Sequence, residues 1–200
     1  MKLPVIAPGG CGALYFEKLT AARLDEASAL CDRCVGKNLY PRAYLASIVD
    51  KQGHCFYLLV TPRRKAVGYI YFFLTGLEEM AALARLPREQ LAGISPKENP
   101  VIGNLQSIGV VEAHRHRRLS EKLVCFYLER LQNTADVAFG VFWKIGGHVP
   151  MEKTLQASGF IHLADAHRVW YHRRDLICPF CPGRCRCDAA IYYKPLGRRP

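Results

Sequence analysis

The stretch "VIGNLQSIGVVEAHRHRRLSEKLVCFYLERL" (residues 101–131), followed by "VAFGVFWKIGG" (137–147), constrains the fold more than any other part of the chain. An apolar run, a basic break, a run of helical period and a second apolar run read in order as strand, helix, strand. Leu119, Leu123, Phe126, Tyr127 and Leu131 recur at helical spacing, which predicts a helix over 120–134 with one apolar face. The right-handed crossover rule then makes the 101–111 and 137–147 strands parallel neighbours in one sheet.

The remaining elements fit around that unit. "LYFEKLT" (14–20) alternates like a strand, and Thr20 is placed to cap a helix through "AARLDEASALCDRC". "PRAYLASIVDKQG" reads as a second helix, with proline in its first turn and glycine at its end. "HCFYLLVTP" and "KAVGYIYFFLTG" are aromatic and branched runs joined by "RRK", the pattern of an antiparallel hairpin. Residues 77–100 read as an insertion, helical with a proline interruption, that forms either a lid or wall or a passive surface excursion. "MEKTLQAS" with Gly159 is a short helix closed by glycine, "FIHLADAHRVWYHR" reads as extended, and "AAIYYKPL" as a closing strand. The fold class is α/β, a mixed and mostly antiparallel sheet with a central parallel pair flanked by helices.

Lysine and arginine number 28 against 17 acids, a formal charge of +11, concentrated at "PRRK", "HRHRR", "HRR" and the final "RR". That excess implies an anionic partner or a solvated basic face. No apolar run is long enough for a membrane-spanning helix, so a soluble protein without a membrane partner is expected. The opening "MKLPVIAPGGCG" has one lysine and a short apolar run broken by proline, so no export signal and a cytoplasmic location are the expectations. Nine cysteines in such a chain then read as reduced thiols or metal ligands.

With "SIGVVEAHRHRRLSEKLVCFYLERL" followed by "MEKTLQASGFI", the chain resembles the GNAT family of acetyl-coenzyme A-dependent acyltransferases over residues 14–173. The resemblance implies a GNAT-like domain over 1–173, with a cysteine-rich hairpin and closing strand at 174–200 in the same domain. It also implies that the parallel strands splay, so that the backbone of Ile108 and Val110 can pair with the pantetheine arm. The pyrophosphate would sit on amides of a loop of pattern [RQ]-x-x-G-x-[GA] at a helix start, where clustered N–H groups attract phosphate. Here that loop is Arg115, His116, Arg117, Arg118, Leu119 and Ser120. Arg118 stands where the first glycine usually lies, and arginine charge can take over part of the amide cradle. The helix before "GF" often carries a tyrosine acid in the family; this chain has Leu155 there. Glu112 and His148 are the candidate general bases, with proton removal by water as the alternative. Gln106 and Ser107, on the central strand, and Asn38 and Tyr40, between the first two helices, fall in the region that usually covers the acceptor.

"CPFCPGRCRC" (178–187) places Cys178, Cys181, Cys185 and Cys187 at C-x2-C-x3-C-x-C spacing, four soft ligands on a segment able to fold back on itself. A structural zinc site is one reading; an iron-sulfur cluster, disulfides or free thiols are the others. Cys31 and Cys34 read as small core residues, with a shared metal or a redox pair as alternatives, while Cys11, Cys55 and Cys125 show no ligand pattern. The preferred function is transfer of an acetyl or related acyl group from coenzyme A to a small-molecule or peptide amine. The alternative is an inactive GNAT-like module that engages nucleic acid or protein through its basic surface and cysteine-rich hairpin.

Overall fold

Strands β3 (His54–Val60) and β4 (Ala66–Thr75) form the expected antiparallel hairpin, and β4 lies so deep that all its residues except Leu74 are buried. A strand covered on both faces reads as a continuous apolar run rather than an alternating one, which is what "AVGYIYFFLT" is. The computed structural model describes residues 3–5 and 14–197. Around β4 it builds one sheet in the order β1 (Leu3–Val5), β2 (Leu14–Lys18), β3, β4, β5 (Ile102–Val110), β6 (Val137–Trp143), β8 (Ala189–Pro195), β7 (Ile161–Ala166). Only the β5–β6 pair is parallel among the described strands.

Helix α5 (Leu119–Leu131) makes the crossover between β5 and β6, and all five residues of its expected apolar face are buried. With α6 (Glu152–Ala157) it covers one face of the sheet, packing on Phe72, Leu105, Ala138 and Tyr192. On the other face, α1 (Leu24–Cys34) and α2 (Arg42–Ile48) pack on Phe56, Leu58, Tyr69 and Tyr71. Residues 77–100 carry α3 (Leu77–Ala84) and α4 (Arg88–Leu91), whose Leu77, Met80, Ala84 and Leu91 pack on Ile102, Val137, Phe139 and Ile191. The 77–100 segment is therefore a structural wall for the β6–β8 end of the sheet.

Three local expectations are corrected. Thr20 does not cap α1 with its side chain; the chain enters through a 3-10 turn, Ala21–Arg23, in which the Arg23 amide donates to the Thr20 carbonyl at 3.0 Å. The extended reading of 160–173 holds only to Ala166, beyond which the chain turns so that Val169 and Trp170 pack inward. The short β1, absent from the sequence reading, pairs antiparallel with β2. Cys11 and the final arginine pair lie outside the described residues. Among those residues, no helix is long and apolar enough to cross a membrane.

Candidate active site between the splayed strands

The β5–β6 ladder is short: it runs from Ile102–Val137 to Leu105–Gly140 and stops. Beyond it β5 stays bonded to β4 as far as Val110, and β6 stays bonded to β8 as far as Trp143, so the two strands diverge into a gap. At the closed end the buried Tyr127 hydroxyl of α5 donates to the Gly103 carbonyl at 2.5 Å and accepts from the Phe139 amide at 3.2 Å. A bulge sets the opening. Ser107 faces Tyr71 and Leu105 faces Phe72, leaving Gln106 as the extra residue. The Tyr40 hydroxyl takes up the Gln106 carbonyl at 3.3 Å, and Gln106 Oε1 accepts from Asn104 Nδ2 at 2.8 Å.

The gap opens into a cavity of about 310 Å³. Its floor is Asn104, Gln106, Ser107 and Ile108 on β5; its walls come from the end of α1 and the α1–α2 connection (Cys34, Leu39, Tyr40), from α3 (Met80, Leu83), from β6 (Val141, Trp143) and from the β7–β8 connection (Trp170, His172, Arg173, Phe180). Among the described residues, the lining carries no carboxylate, and Arg173 is its one arginine or lysine. Arg173 is held by Asp175, which accepts from Nε at 3.1 Å and from Nη2 at 3.0 Å. Burial pushes the Tyr40 phenol up, although bonds with Gln106 and Ser107 act the other way, so it remains a neutral donor at physiological pH. Burial also pushes the Cys34 thiol up, to about 11, against the opposing pull of Arg115.

At the end of β5 the chain makes a 3-10 turn, Glu112–His114, before α5 begins. Two residues of the basic loop, His116 at φ 60° and Arg118 at φ 56°, sit in the left-handed region that glycine enters without strain. The expected glycine slot at Arg118 is thus occupied by arginine in a glycine-like backbone conformation. Its guanidinium turns outward to Glu121, at 2.7 Å, while Ser120 lies half-buried in the first turn of α5 with its Oγ 3.4 Å from Thr154 Oγ1. The amides of that first turn have no acceptor within the helix. Arg115 reaches back, its Nε donating to the Val110 carbonyl at 3.2 Å.

Tyr40, Gln106, Ser107 and Ile108 meet in the cavity; Asn38 does not, being exposed with its amide on Asp32 at 3.1 Å. Neither Glu112 nor His148 lines it. Glu112 is exposed in the 3-10 turn, and His148 is exposed on a tight turn closed by mutual backbone bonds with Ile145. Leu155 is a residue of α6 and is fully buried in the core. Cys31 is buried beneath Tyr69, and burial drives its thiol well above the ordinary range. Sequence reasoning missed Met80, Trp143, Trp170 and Phe180, which carried no local pattern, and read Arg173 only as part of a basic run.

The four cysteines of the β7–β8 connection converge. Their sulphurs all lie within 4.8 Å of one another, and they are the one such metal-capable group of three or more His, Cys, Asp or Glu side chains among the described residues. Cys178, Cys185 and Cys187 are buried, and Cys181 is partly so. Cys31 and Cys34 are not part of the group.

No protein-family model and no curated protein matches the sequence. Solved structures do match the fold. Arabidopsis thaliana NAA60 in complex with a bisubstrate analogue superposes with a TM-score of 0.70 at 12% identity, over 93% of this chain and 99% of that one. A GNAT superfamily phosphinothricin acetyltransferase from Sinorhizobium meliloti in complex with AcCoA gives 0.62 at 14%, over 92% and 89%. The ribosomal-protein-S18-alanine N-acetyltransferase from Escherichia coli gives 0.62 at 13%, over 94% and 96%. The chain has the fold of the GNAT acetyltransferases, as the order of its motifs implied.

Proposed function

We propose that the chain transfers an acetyl group from acetyl-coenzyme A to an amine held in the cavity. The observation that carries this reading is the gap between β5 and β6, because it leaves the edge of β5 unpaired with β6 beyond Leu105, on the stretch of chain that leads through the basic loop into α5. An unpaired edge offers N–H and C=O groups to an amide-bearing arm, and the first turn of a helix offers N–H groups and positive potential to a pyrophosphate. The backbone of Ile108 and Val110 would hold the arm, with Arg115 releasing the Val110 carbonyl. The Ser120 turn, helped by Arg115, His116, Arg117 and Arg118, would hold the phosphates. When bound, the coenzyme supplies an activated thioester.

The chain's own part is to orient the acceptor and accept a proton. The amine nitrogen forms the new C–N bond as the C–S bond breaks; its surplus proton goes to a base, and the leaving thiolate is protonated from solvent. The wall presents one imidazole, His172, and we assign proton removal to it in place of Glu112 and His148. Tyr40, Asn104 and Gln106 would position the amine. A wall of Leu39, Met80, Trp143 and Trp170 without a carboxylate favours an acceptor with one amine on an apolar or aromatic body. A polyamine would bury several charges there with no counter-charge. Both a small molecule and a peptide N-terminus satisfy that description.

Calorimetric titration with acetyl-coenzyme A, followed by mass-spectrometric detection of acetylated product, tests the proposal. Apolar amino acids, apolar peptides, spermidine and an aminoglycoside form the acceptor panel. Saturable coenzyme binding with acetylation of the apolar amines is expected. No coenzyme binding, with salt-sensitive capture of nucleic acid instead, would replace this reading by the binding-module alternative.

A further inference from the structure

We propose that Cys178, Cys181, Cys185 and Cys187 hold a single zinc ion, and that this ion fixes the wall of the cavity to which Phe180 belongs. The zinc assignment stands on its own; only its consequence for the acceptor rests on the acyl-transfer reading.

Zinc with four thiolates is tetrahedral, with Zn–S bonds of about 2.3 Å that place the sulphurs about 3.8 Å apart. In the structure Cys178 and Cys187 sulphurs are 3.7 Å apart, and Cys181 and Cys187 sulphurs 3.5 Å. The described cysteines are free of disulfides. Two backbone amides already point at the sulphurs: Phe180 N–H donates to Cys178 Sγ and Arg186 N–H to Cys181 Sγ, each at 3.4 Å. Such bonds favour the charged acceptor over the neutral thiol and orient the ligand around a metal. A multi-iron cluster must fit several irons and bridging sulfides among its thiolates; four sulphurs within 4.8 Å suit one ion. Binding displaces four thiol protons and leaves the centre with two net negative charges, next to Arg184 and Arg186 of the same loop. Four protein ligands leave no open position, so the ion is structural.

The place of the centre gives it a consequence. Residues 167–188 join β7 to β8 without helix or strand, a length of chain that ordinarily needs something to hold it. Ile177, immediately before the first ligand, donates its amide to the Lys37 carbonyl at 3.1 Å, tying the loop to the α1–α2 connection that also supplies Leu39 and Tyr40. Phe180, between the first two ligands, meets Trp143 edge-on at 6.5 Å, and Trp143 meets Trp170 at 5.1 Å. The ion would thus hold two walls of the cavity together.

Elemental analysis of the purified full-length chain is the first test, and one zinc per chain is expected. Cobalt replacement should give the visible bands of a tetrahedral thiolate site. Zinc-free protein with two disulfides by mass spectrometry, or protein containing iron, would overturn the assignment. Hydrogen exchange then tests the coupling without relying on catalysis: removal of zinc should speed exchange at the Ile177 amide and across 176–188, with β3 and β4 unchanged. Cys181→Ser, at the least buried ligand, should reproduce that loss and lower kcat/KM for the acceptor by on the order of a hundredfold, the effect of a misplacement of about 1 Å. Acetyl-coenzyme A affinity should not change. Unchanged exchange at Ile177 in zinc-free protein would overturn the coupling, and unaltered acceptor kinetics in the variant would overturn its link to the acceptor.

Discussion

Two irregular segments meet the open end of the β5–β6 gap, and they are built by opposite means. The basic loop, 112–118, is held by backbone conformation: a 3-10 turn and two left-handed residues, with almost every side chain exposed. The cysteine loop, 167–188, is held by side chains, with Val169, Leu176 and three of the four cysteines buried. A segment shaped by its own dihedral angles tolerates a change of side chain, which alters what the loop attracts more than whether it forms. A segment shaped by converging side chains depends on each of them, because removal of one leaves the others without a partner.

The largest effect should therefore come from Cys185→Ser. Cys185 is fully buried, and a hydroxyl placed there without a partner costs about 1–3 kcal/mol before any metal is lost. Thermal unfolding should show a midpoint lower by several degrees, about 2–4 °C for each kcal/mol in a chain of this size. An unchanged midpoint would mean that packing alone holds the cysteine loop, and the contrast with the basic loop would fail.

Next comes Tyr127→Phe at the closed end of the gap, where neither loop reaches. Losing the hydroxyl removes its bonds to Gly103 and Phe139 in a buried site, with an expected loss of about 1–3 kcal/mol in denaturant unfolding. If the gap itself forms the coenzyme site, acetyl-coenzyme A affinity should fall along with stability.

Arg118→Gly should separate the backbone of the basic loop from its charge. Glycine adopts φ 56° without strain, so the unfolding midpoint should hold or rise, while coenzyme affinity weakens severalfold at low salt and recovers toward wild type as salt screens the comparison. A falling midpoint would show that this loop, too, depends on its side chain through the Glu121 pair.

The smallest effect concerns Cys34, between the two loops. A thiol raised to about 11 carries less thiolate at pH 8 than an ordinary cysteine, so iodoacetamide should modify it slowly there and progressively faster up to about pH 11. Peptide mapping after timed alkylation at several pH values reads this directly, and rapid labelling at pH 7 would show that Arg115 outweighs burial.

Much of the fold was legible because its signals are local. Helical spacing in Leu119–Leu131, the apolar runs of β3 and β4 and the crossover between β5 and β6 each lie within one element or between neighbours, where steric and hydrogen-bonding rules act directly. The candidate site was legible only in part. Gln106, Ser107 and Tyr40 were named from their position in the chain, and the structure places them in the cavity. Glu112 and His148 were named on the same grounds, and they face solvent because a 3-10 turn and a tight glycine turn aim them there. Thr20 was a good cap by residue type, but the 3-10 entry gave its place in the hydrogen bonding to a backbone carbonyl.

By itself the sequence determined the order of elements, the basic loop at the start of α5 and the presence of four thiols on one short segment. The tertiary structure alone decided that Met80, Trp143, Trp170 and Phe180 share a cavity with Tyr40, that residues 77–100 form a wall, and that the cysteine loop is tied to the α1–α2 connection. The physical reason is range. Periodicity and turn chemistry act over a few residues, whereas a cavity is the space left where several distant segments pack as closely as their side chains allow, and no one of them records the shape of the others.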